Sequence, residues 1–259
     1  MKTIIVIPAR YSSQRFPAKV LYPLRHKPIL YWVWIKAIKA NIADEVIIAT
    51  EHPKVIDFAK SIGANAVMTS SRCRSGSDRV YEVVKNKKFD FVINLQADEP
   101  FIESETIKKA FLKIKNEPEF DITTAVAPIE NNGELNDPNC VKAGLAKDGN
   151  AIYFSRSPVP YHHPLSELTK KIPYYKHCGF YIYKKKSLLK FVKAKPSQIE
   201  MLERLEQLRA LEIGLKIGAV IVKKLGPSID TPYDIKKAEE YIKKTQSQDA
   251  EDKWLNTYL

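Results

Sequence analysis

The sequence predicts an α/β fold in which a Rossmann-like, doubly wound and mostly parallel sheet carries helices on both faces. Short apolar runs alternate with amphipathic helical patterns at the spacing of βαβ units. The early runs are apolar at nearly every position, as expected for parallel strands that are covered on both faces. Right-handed crossovers between such strands give a doubly wound sheet.

The predicted elements follow from these two patterns. The strands are Thr3–Ile7, Glu45–Ala49, Phe89–Leu95, Ile122–Ala127, His177–Tyr183 and Lys216–Lys223. The helices between them are Pro28–Ala40, Pro53–Ile62, Ser77–Val84 and Ser104–Ile114. Pro28 and Pro53 stand at a first helical position, where the missing N–H is tolerated, and Gly63 ends the second helix.

One domain over residues 1–245 is predicted, because no long linker rich in Gly, Ser or Pro divides the chain. The polar stretch Asn131–Asn139 marks the start of a smaller substrate-facing lobe, roughly residues 131–215. Pro158–Tyr174 holds four prolines and is predicted to be an irregular excursion or lid. Residues 246–259 are polar until Trp254 and are expected to form a loosely held tail.

The composition is that of a globular protein with a substantial core: the 259 residues are 44% hydrophobic and 28% charged. No apolar run approaches the roughly 18–20 residues of a transmembrane helix, and the first strand lacks the flanks of a signal peptide. We therefore expect no membrane insertion and a cytoplasmic location. The three cysteines are widely spaced and predict neither disulfides nor a zinc site. The net charge of +12 favours anionic partners, but the lysines are scattered, so no nucleic-acid partner is expected.

The first predicted strand runs directly into a basic loop that is rich in hydroxyl groups. The loop carries Arg10, Ser12, Ser13, Arg15 and Lys19. Ligands of α/β sheets bind outside the carboxyl ends of the strands, where Arg and Lys side chains can clamp phosphoryl oxygens. The loop therefore predicts a polyphosphate site, and the alternative is a solvated basic loop. Neither the P-loop nor the dinucleotide-binding glycine pattern occurs, which disfavours P-loop NTPases and dinucleotide dehydrogenases.

Two aspartates follow apolar strands further along the chain. Asp98 comes directly after the third strong strand, and Asp230 follows the last predicted strand. Carboxylates in these places suit Mg²⁺, which prefers oxygen ligands and is usually shared with substrate phosphates. Two alternatives stay open. Asp98 or Glu99 could cap the helix that begins near Ser104, and the segment from Asp230 to Pro232 could simply start the last helix.

A further segment, Ser75 to Arg79, precedes the third predicted helix. Gly76 allows a ligand to approach the backbone closely, and the exposed N–H groups with the neighbouring hydroxyls would suit a base or a ribose. The segment therefore predicts a nucleotide contact through Ser75, Gly76 and Arg79. The alternative is a simple N-cap of the helix.

The second half of the chain supplies polar groups for another substrate, which we expect to be an acidic polyhydroxy compound. These residues are Arg156, His177, Tyr181, Glu206 and Gln207. Histidine can contact a ligand in either of its neutral forms or as a cation. For a single histidine in a strand, a structural role is the alternative.

Seven motifs occur in a fixed order along the chain: PARYSSQRFPAK, SGSDR, NLQADEP, YFSRSPVP, KHCGFYIY, LEQLR and IDTPYDI. Together they resemble the 3-deoxy-manno-octulosonate cytidylyltransferase family, the CMP-Kdo synthetases, from residue 2 to about residue 243. The resemblance implies a fold of the sugar-nucleotidyltransferase kind with a smaller substrate and dimerisation lobe, a homodimer and Mg²⁺ as cofactor. It also implies the reaction, in which the anomeric hydroxyl of Kdo attacks the α-phosphorus of CTP. Pyrophosphate is released, and CMP-Kdo is formed for lipopolysaccharide assembly.

The resemblance also implies a role for each matching position. Arg10, Arg15 and Lys19 match the triphosphate-binding cations, and Ser75 to Arg79 match the segment near the nucleotide. Asp98 and Asp230 match the magnesium carboxylates, so Arg10, Lys19 and these two are the expected catalytic residues. The positions expected around the sugar acid are Gln96, Arg156, His177, Tyr181, Glu206 and Gln207. One Mg²⁺ on the two aspartates would activate the attacking hydroxyl, and a second would be bound mainly by the triphosphate.

Some positions depart from the family pattern, and several functions stay open. Ala97 and Ala18 stand where glycine is usual; alanine is mild there if φ is negative but costly if φ is positive. Close relatives use the 8-amino analogue of Kdo, and other sugar nucleotidyltransferases make CMP-sialic acid or UDP-sugars. A non-catalytic protein of this charge would instead bind nucleic acid with a steep salt dependence.

Overall fold

The computed structural model describes residues 1–13, 15–163 and 174–248, and within these residues a ten-stranded mixed sheet forms the centre of the protein. The strands are β1 (Thr3–Pro8), β2 (Pro23–Leu24), β3 (Lys27–Pro28), β4 (Glu45–Thr50), β5 (Asn65–Met68), β6 (Phe91–Leu95), β7 (Ile122–Pro128), β8 (Lys142–Leu145), β9 (Ala151–Ser155), β10 (Tyr175–His177), β11 (Phe180–Lys184) and β12 (Ile217–Ile221). The helices are α1 (Ile29–Ala40), α2 (Pro53–Ser61), α3 (Gly76–Val84), α4 (Ser104–Asn116), α5 (Asn132–Asn136), α6 (Lys185–Lys193), α7 (Gln198–Glu203), α8 (Gln207–Glu212) and α9 (Pro232–Gln248).

The sheet combines a parallel portion with antiparallel insertions. Its strand order is β5-β4-β1-β6-β11-β7-β10-β8-β9, and β12 pairs with the other edge of β7. Strands β5, β4, β1 and β6 are mutually parallel, as are β7 and β12. Strand β11 is antiparallel to both β6 and β7, so these two point the same way. The predicted α/β fold with a mostly parallel central sheet is confirmed.

Two apolar cores cover the two faces of the sheet. All six residues of β1 are buried. Ile5 and Ile7 face a core that is formed with α1, α2 and α4. Ile4 and Val6 face a second core that is formed with α3, α6 and α8. The apolar character of the early strands therefore has the expected cause, which is burial on both faces of the sheet.

The predicted strand His177–Tyr183 is wrong as a single strand, because the chain changes partners within it. Strand β10 pairs with the carboxyl end of β7 and with β8, whereas β11 pairs with β6 and the start of β7. The break falls at Cys178–Gly179. A Cβ atom on Gly179 would lie 2.7 Å from Glu99 Oε1, so the break passes tightly against the segment that follows β6. Strand β10, before the break, therefore lies beside β8, and β11, after the break, lies beside β6.

Some of the helices begin at slightly different residues from those predicted. Pro53 occupies the first turn of α2, as predicted, whereas Pro28 precedes α1. The N-cap of α4 is Glu103, and it makes no side-chain cap hydrogen bond. Neither Asp98 nor Glu99 therefore caps this helix, which removes one alternative to a role at the strand end.

Several short elements were not predicted from the sequence. They are β2, β3, β5, β8, β9 and α5 to α8. The lobe of residues 131–215 stays a prediction; β11, which falls within it, lies inside the main sheet. Helix α9 continues to Gln248, past the predicted start of the tail, and the rest of that tail lies outside the described residues, as does most of the Pro158–Tyr174 excursion. Within the described part of the chain, no helix is both long enough and apolar enough to cross a bilayer.

Candidate active site

A cavity of about 850 Å³ opens beyond the carboxyl end of β6, beside the break between β10 and β11. The predicted site residues on its wall are Arg15, Gly76, Gln96, Asp98, Arg156, His177, Tyr181, Glu206, Gln207 and Asp230. They come from both halves of the chain and include all six predicted sugar residues and both predicted metal carboxylates, but of the predicted nucleotide residues only Arg15 and Gly76. Arg10, Ser12 and Ser13 are not on this wall, and Arg10 and Ser12 are exposed on the loop beside it.

One lysine joins the two aspartates that are far apart in the sequence. The Nζ atom of Lys19 lies 2.8 Å from Asp98 Oδ2 and 3.2 Å from Asp230 Oδ1. Arg15 donates from a terminal guanidinium nitrogen to the same Asp230 oxygen at 3.1 Å. Two carboxylates and two cations therefore form one cluster at the end of the sheet, with Lys19 at its centre and its side chain only 9% exposed.

The local chain conformation explains how Lys19 reaches this position. Lys19 begins a 3₁₀ turn, Lys19–Leu21, and Ala18 before it has φ of 57° and ψ of 17°. This is the left-handed region, which costs an L-residue with a Cβ atom about 1–2 kcal/mol relative to the right-handed one. Alanine in place of the usual glycine at residue 18 is thus in the costly conformation. Ala97 has no positive φ and is buried, so its methyl group is accommodated.

The charge state of Lys19 is set by opposing effects. Burial disfavours the ammonium, but the charges of Asp98 and Asp230 outweigh it, so the pKa of Lys19 is raised above 10.5. The lysine therefore stays positively charged at neutral pH. It neutralises part of the repulsion between the two carboxylates.

Glu99 lies next to this cluster and in a different environment. Burial, reinforced by the charge of Asp98, raises the pKa of Glu99 to about 8. Its Oε1 atom accepts a hydrogen bond from the Gly179 N–H at 3.0 Å. Glu99 therefore links the segment after β6 to the break between β10 and β11, and both segments line the cavity.

Arg79 is one of the predicted nucleotide residues that are not on the cavity wall; the others are Arg10, Ser12, Ser13, Lys19 and Ser75. Its guanidinium lies 3.1 Å from Glu51 Oε2, with the two side chains 3% and 8% exposed, and it also donates to Thr69 Oγ1. The other Glu51 oxygen accepts the backbone N–H groups of Tyr11 and Ser12 at 2.9 and 3.1 Å. Arg79 supports the basic loop through Glu51. It can do so because its side chain lies on the buried face of α3.

The start of α3 confirms the N-cap interpretation of the Ser75 to Arg79 segment, and the nucleotide contact stays a prediction. Ser75 is the N-cap, and its hydroxyl accepts the Asp78 N–H at 3.2 Å. Gly76 forms part of the cavity wall, where an added Cβ would lie 2.8 Å from Gln96 Nε2. The absence of a side chain at residue 76 therefore lets Gln96 lie against the helix start.

A chain of side-chain hydrogen bonds connects Gln96 to Glu206, both on the cavity wall. Gln96 donates to Asn94 Oδ1 at 3.0 Å, and Asn94 donates to Ser77 Oγ at 3.2 Å. The Ser77 hydroxyl donates to Glu206 Oε1 at 2.7 Å. Burial raises the pKa of Glu206, and its second oxygen, Oε2, is buried without a hydrogen-bond partner among the described residues. This free acceptor lies on a residue of the cavity wall.

Arg156 and His177, two of the residues predicted to contact the sugar acid, have different surroundings. Arg156 donates to three backbone carbonyls, those of Pro138, Glu203 and Arg204, so its position is fixed by the chain around it. Burial lowers the pKa of His177 to about 3, and its ring stacks on Tyr181 with centroids 5.3 Å apart. His177 is therefore neutral at physiological pH.

Several cationic residues of the cavity were missed in the sequence. They are Lys176, Arg204 and Lys237. A signal was available for Lys237, which follows Asp234 by one helical turn and pairs with it at 3.6 Å. A signal was also available for Lys176, which precedes His177. Arg204 has φ of 56° in the connection between α7 and α8, and no pattern in the sequence predicts this conformation.

Comparison with known proteins identifies the family of this chain. A family model described as "Cytidylyltransferase" matches residues 4–217. The 3-deoxy-manno-octulosonate cytidylyltransferase of Elusimicrobium minutum (strain Pei191) is 51% identical over 241 residues, which cover 93% of this chain and 98% of the relative. The chain belongs to the 3-deoxy-manno-octulosonate cytidylyltransferase family. The resemblance that the seven motifs predicted is thereby confirmed.

Two further members place limits on what family membership says. The solved structure of CMP:2-keto-3-deoxy-manno-octonic acid synthetase complexed with CTP matches with a TM-score of 0.87 and 34% identity, covering 95% of this chain and 100% of that one. The 8-amino-3,8-dideoxy-manno-octulosonate cytidylyltransferase of Shewanella frigidimarina (strain NCIMB 400) is 40% identical and covers 92% of this chain and 98% of the relative. The cytidylyltransferase family thus includes relatives that are named for two different sugar acids.

Proposed function

We propose that this protein transfers the cytidylyl group of CTP to Kdo, giving CMP-Kdo and pyrophosphate for lipopolysaccharide assembly in the cytoplasm. One observation carries the proposal. Asp98 and Asp230 meet across Lys19 in the cavity of a chain that is 51% identical to a 3-deoxy-manno-octulosonate cytidylyltransferase. The structural match to a synthetase complexed with CTP supports CTP as the nucleotide.

The reaction is an in-line displacement at the α-phosphorus. The anomeric oxygen of Kdo forms a bond to phosphorus and loses its proton, and the bond between the α-phosphorus and the bridging oxygen breaks. The electron pair of that bond leaves on pyrophosphate, where negative charge accumulates. Arg15 and Lys19, with Arg10 on the exposed part of the loop, neutralise this charge because fixed cations aimed at a leaving group stabilise its transition state. No covalent enzyme intermediate is required.

The carboxylate pair fits Mg²⁺, which we propose as the cofactor. Asp98 and Asp230 direct oxygen atoms at one cationic centre, and Mg²⁺ is usually held by one or two carboxylates together with substrate phosphates. Among the described residues, no group of three acidic, His or Cys side chains forms a larger metal cluster. When bound, Mg²⁺ would supply positive charge that polarises the phosphate and acidifies the attacking hydroxyl. The charge of Lys19, already between the carboxylates, would then be available to the triphosphate.

The sugar acid is proposed to bind in the same cavity. Gln96, Arg156, His177 and Tyr181 line it, and Glu206 presents a buried acceptor that has no hydrogen-bond partner among the described residues. Several polar groups that converge in one concavity are typical of recognition of a polyhydroxy substrate. The 8-amino analogue of Kdo is the second candidate, because a relative that is 40% identical carries that name.

A homodimer is also proposed. Strand β9 ends the strand order of the sheet and exposes Ile152, whose surface is 64% accessible. Helix α7 lies beside it through the hydrogen bond from Ser155 to Glu203 and exposes Met201 and Leu202. Large exposed apolar side chains of this kind often mark subunit interfaces. Sedimentation should give a dimer that Leu202→Glu weakens; a wild-type monomer at micromolar concentration would contradict the proposal.

Product analysis tests the proposed function directly. The purified protein is incubated with Mg²⁺, one nucleoside triphosphate and one sugar acid, and the product mass and the released pyrophosphate are measured. The triphosphates are CTP and UTP, and the acids are Kdo, its 8-amino analogue and sialic acid. We expect CMP-Kdo as the main product, with loss of turnover when EDTA is added. Turnover with only another sugar acid would reassign the substrate, and salt-dependent oligonucleotide binding without any turnover would reject the enzyme function.

A further inference from the structure

Thr124 lies in the middle of β7. Its side chain is completely buried behind His177, which is on the cavity wall. Its hydroxyl oxygen is 2.7 Å from the Phe180 carbonyl oxygen and 3.2 Å from that of Cys178. The same hydroxyl oxygen is 3.0 Å from Nε2 of His177. One threonine hydroxyl thus contacts three atoms, two of which can only accept a hydrogen bond.

The number of protons at this hydroxyl decides the direction of each bond. A hydroxyl carries one proton and can accept through its lone pairs, whereas a carbonyl oxygen has no proton to give. If Thr124 donated to His177, both oxygen–oxygen contacts would lack a proton, and at 2.7 Å that contact with Phe180 would be strongly repulsive. The Thr124 proton therefore points to the carbonyls, and the imidazole must be the donor at Nε2.

The opposite nitrogen of the ring is then the acceptor. A neutral imidazole carries one N–H, so donation from Nε2 leaves Nδ1 with a free lone pair. Among the described residues, no hydrogen bond to Nδ1 of His177 accompanies the one at Nε2, and His177 lies on the cavity wall. Two aromatic contacts hold the ring plane: Phe154 meets it edge-on at 5.0 Å, and Tyr181 stacks on it at 5.3 Å.

We propose that Thr124 is a positioning residue that holds His177 in its Nε2–H tautomer, so that Nδ1 accepts a hydrogen bond from a hydroxyl of the sugar acid. The second half of this inference rests on the proposed function, whereas the tautomer itself does not. The burial that lowers the pKa of His177 to about 3 supports the assignment, because an imidazolium would carry a proton on both nitrogens.

The neighbouring residue Thr123 provides a matched control. It is also completely buried in β7, but its hydroxyl donates to the Ala110 carbonyl at 2.8 Å, on the opposite face of the sheet. Thr123→Val removes a hydroxyl of the same type and burial without touching His177. Thr124→Val removes the acceptor of the imidazole proton, and Thr124→Ser keeps it. Any general cost of losing a buried hydroxyl should be shared by the two valine variants.

Ring nitrogen signals of the ¹⁵N-labelled full chain report the tautomer without any need for turnover. His177 is assigned from the signals that His177→Gln lacks, and spectra are recorded at pH 7. We expect the Nε2–H form in the wild type, Thr123→Val and Thr124→Ser, and a shift towards Nδ1–H in Thr124→Val. An Nδ1–H form or an imidazolium in the wild type would overturn the proposal, as would unchanged His177 signals in Thr124→Val.

Steady-state kinetics with CTP and Kdo tests the contact to the sugar acid. Thr124→Val should raise the KM for Kdo on the order of tenfold, the effect of losing one net hydrogen bond, while the KM for CTP changes much less. Thr124→Ser should restore the KM for Kdo. An equal rise in Thr123→Val would show a structural effect and overturn the proposed contact. If the wild type makes no CMP-Kdo but gives the expected ring signals, the proposed function fails and the role of Thr124 in setting the tautomer stands.

Discussion

Arg79 and Glu51 form an ion pair of 3.1 Å beneath the basic loop, and both side chains are almost completely buried. A buried ion pair is sensitive to loss of one partner, because the remaining charge is left without compensation in a medium of low polarity. Here the remaining charge would be that of Glu51, which also holds the N–H groups of Tyr11 and Ser12. The pair thus connects the stability of the fold to the shape of the loop that is proposed to bind the triphosphate.

Arg79→Leu is therefore expected to lower the free energy of unfolding by about 3–5 kcal/mol. It should also raise the KM for CTP, because the loop loses its anchor. Urea denaturation and steady-state kinetics measure the two effects. The double variant Arg79→Leu with Glu51→Gln removes both charges and should recover part of the stability. A loss below about 1 kcal/mol in the single variant would contradict a structural role for this pair.

Asp98→Asn and Asp230→Asn should each reduce kcat by at least about 10²–10³-fold while the fold stays intact. Each variant keeps the size of the side chain but removes one of the two negative charges that face Lys19. Turnover with CTP and Kdo, together with circular dichroism, measures the outcome. Asp57→Asn, an exposed position on α2, is the matched control and should behave as the wild type. Near-normal turnover in either active-site variant would remove that carboxylate from the mechanism.

Ala18→Gly should stabilise the protein by about 0.5–1 kcal/mol. The gain comes from relieving the left-handed conformation of Ala18, whose φ is 57°, and it is partly offset by the greater chain entropy of glycine in the unfolded state. Thermal unfolding should show a rise of roughly 2–4 °C per kcal/mol for a domain of this size. Ala97→Gly is the comparison, since Ala97 has no positive φ, and it should destabilise. Equal behaviour of the two variants would contradict the conformational explanation.

His177 should make the protein less stable as the pH falls below 6.5. The unfolded histidine takes up a proton near pH 6.5, whereas burial lowers the pKa of the folded residue to about 3. Stability is therefore fully present above pH 6.5 and decreases towards pH 3, by at most about 1.4 kcal/mol for each pH unit. Denaturation at pH 7, 6 and 5 should show this slope in the wild type and a smaller one in His177→Gln. Parallel slopes would mean that the pKa of His177 is the same in the folded and the unfolded protein.

The parts of the site that follow strand ends could be predicted from the sequence. Asp98 follows an apolar strand and faces the crevice, because the carboxyl ends of parallel strands form the binding edge of a sheet. Arg15 and Lys19, on the loop that follows β1, were predictable for the same reason, whereas Arg10, Ser12 and Ser13 of that loop are not on the cavity wall. For Asp98, Arg15 and Lys19, a position soon after a strand end places the side chain near the site.

The parts that depend on tertiary rotation or on partner exchange could not be predicted. Arg79 and Gly76 belong to the same motif. The rotation of α3 directs the Arg79 side chain to Glu51 and away from the cavity. The break between β10 and β11 arises because β7 is long enough to pair with both in succession, and the residues from His177 to Tyr183 carry no turn signal strong enough to reveal it. Thr124 is one of two adjacent threonines in an otherwise apolar strand, and its role follows only from its three contacts.

The position of Lys19 also determines how much rearrangement the centre needs when substrates arrive. Two anionic groups that would otherwise push apart are kept facing each other by an internal counter-ion from the chain itself. A centre that is assembled beforehand does not spend binding energy on ordering its own dipoles and charges during the chemical step. Under the proposed function, nucleotide binding would be an exchange of counter-ions at a preformed position, in which the lysine passes from the two aspartates to the incoming phosphates.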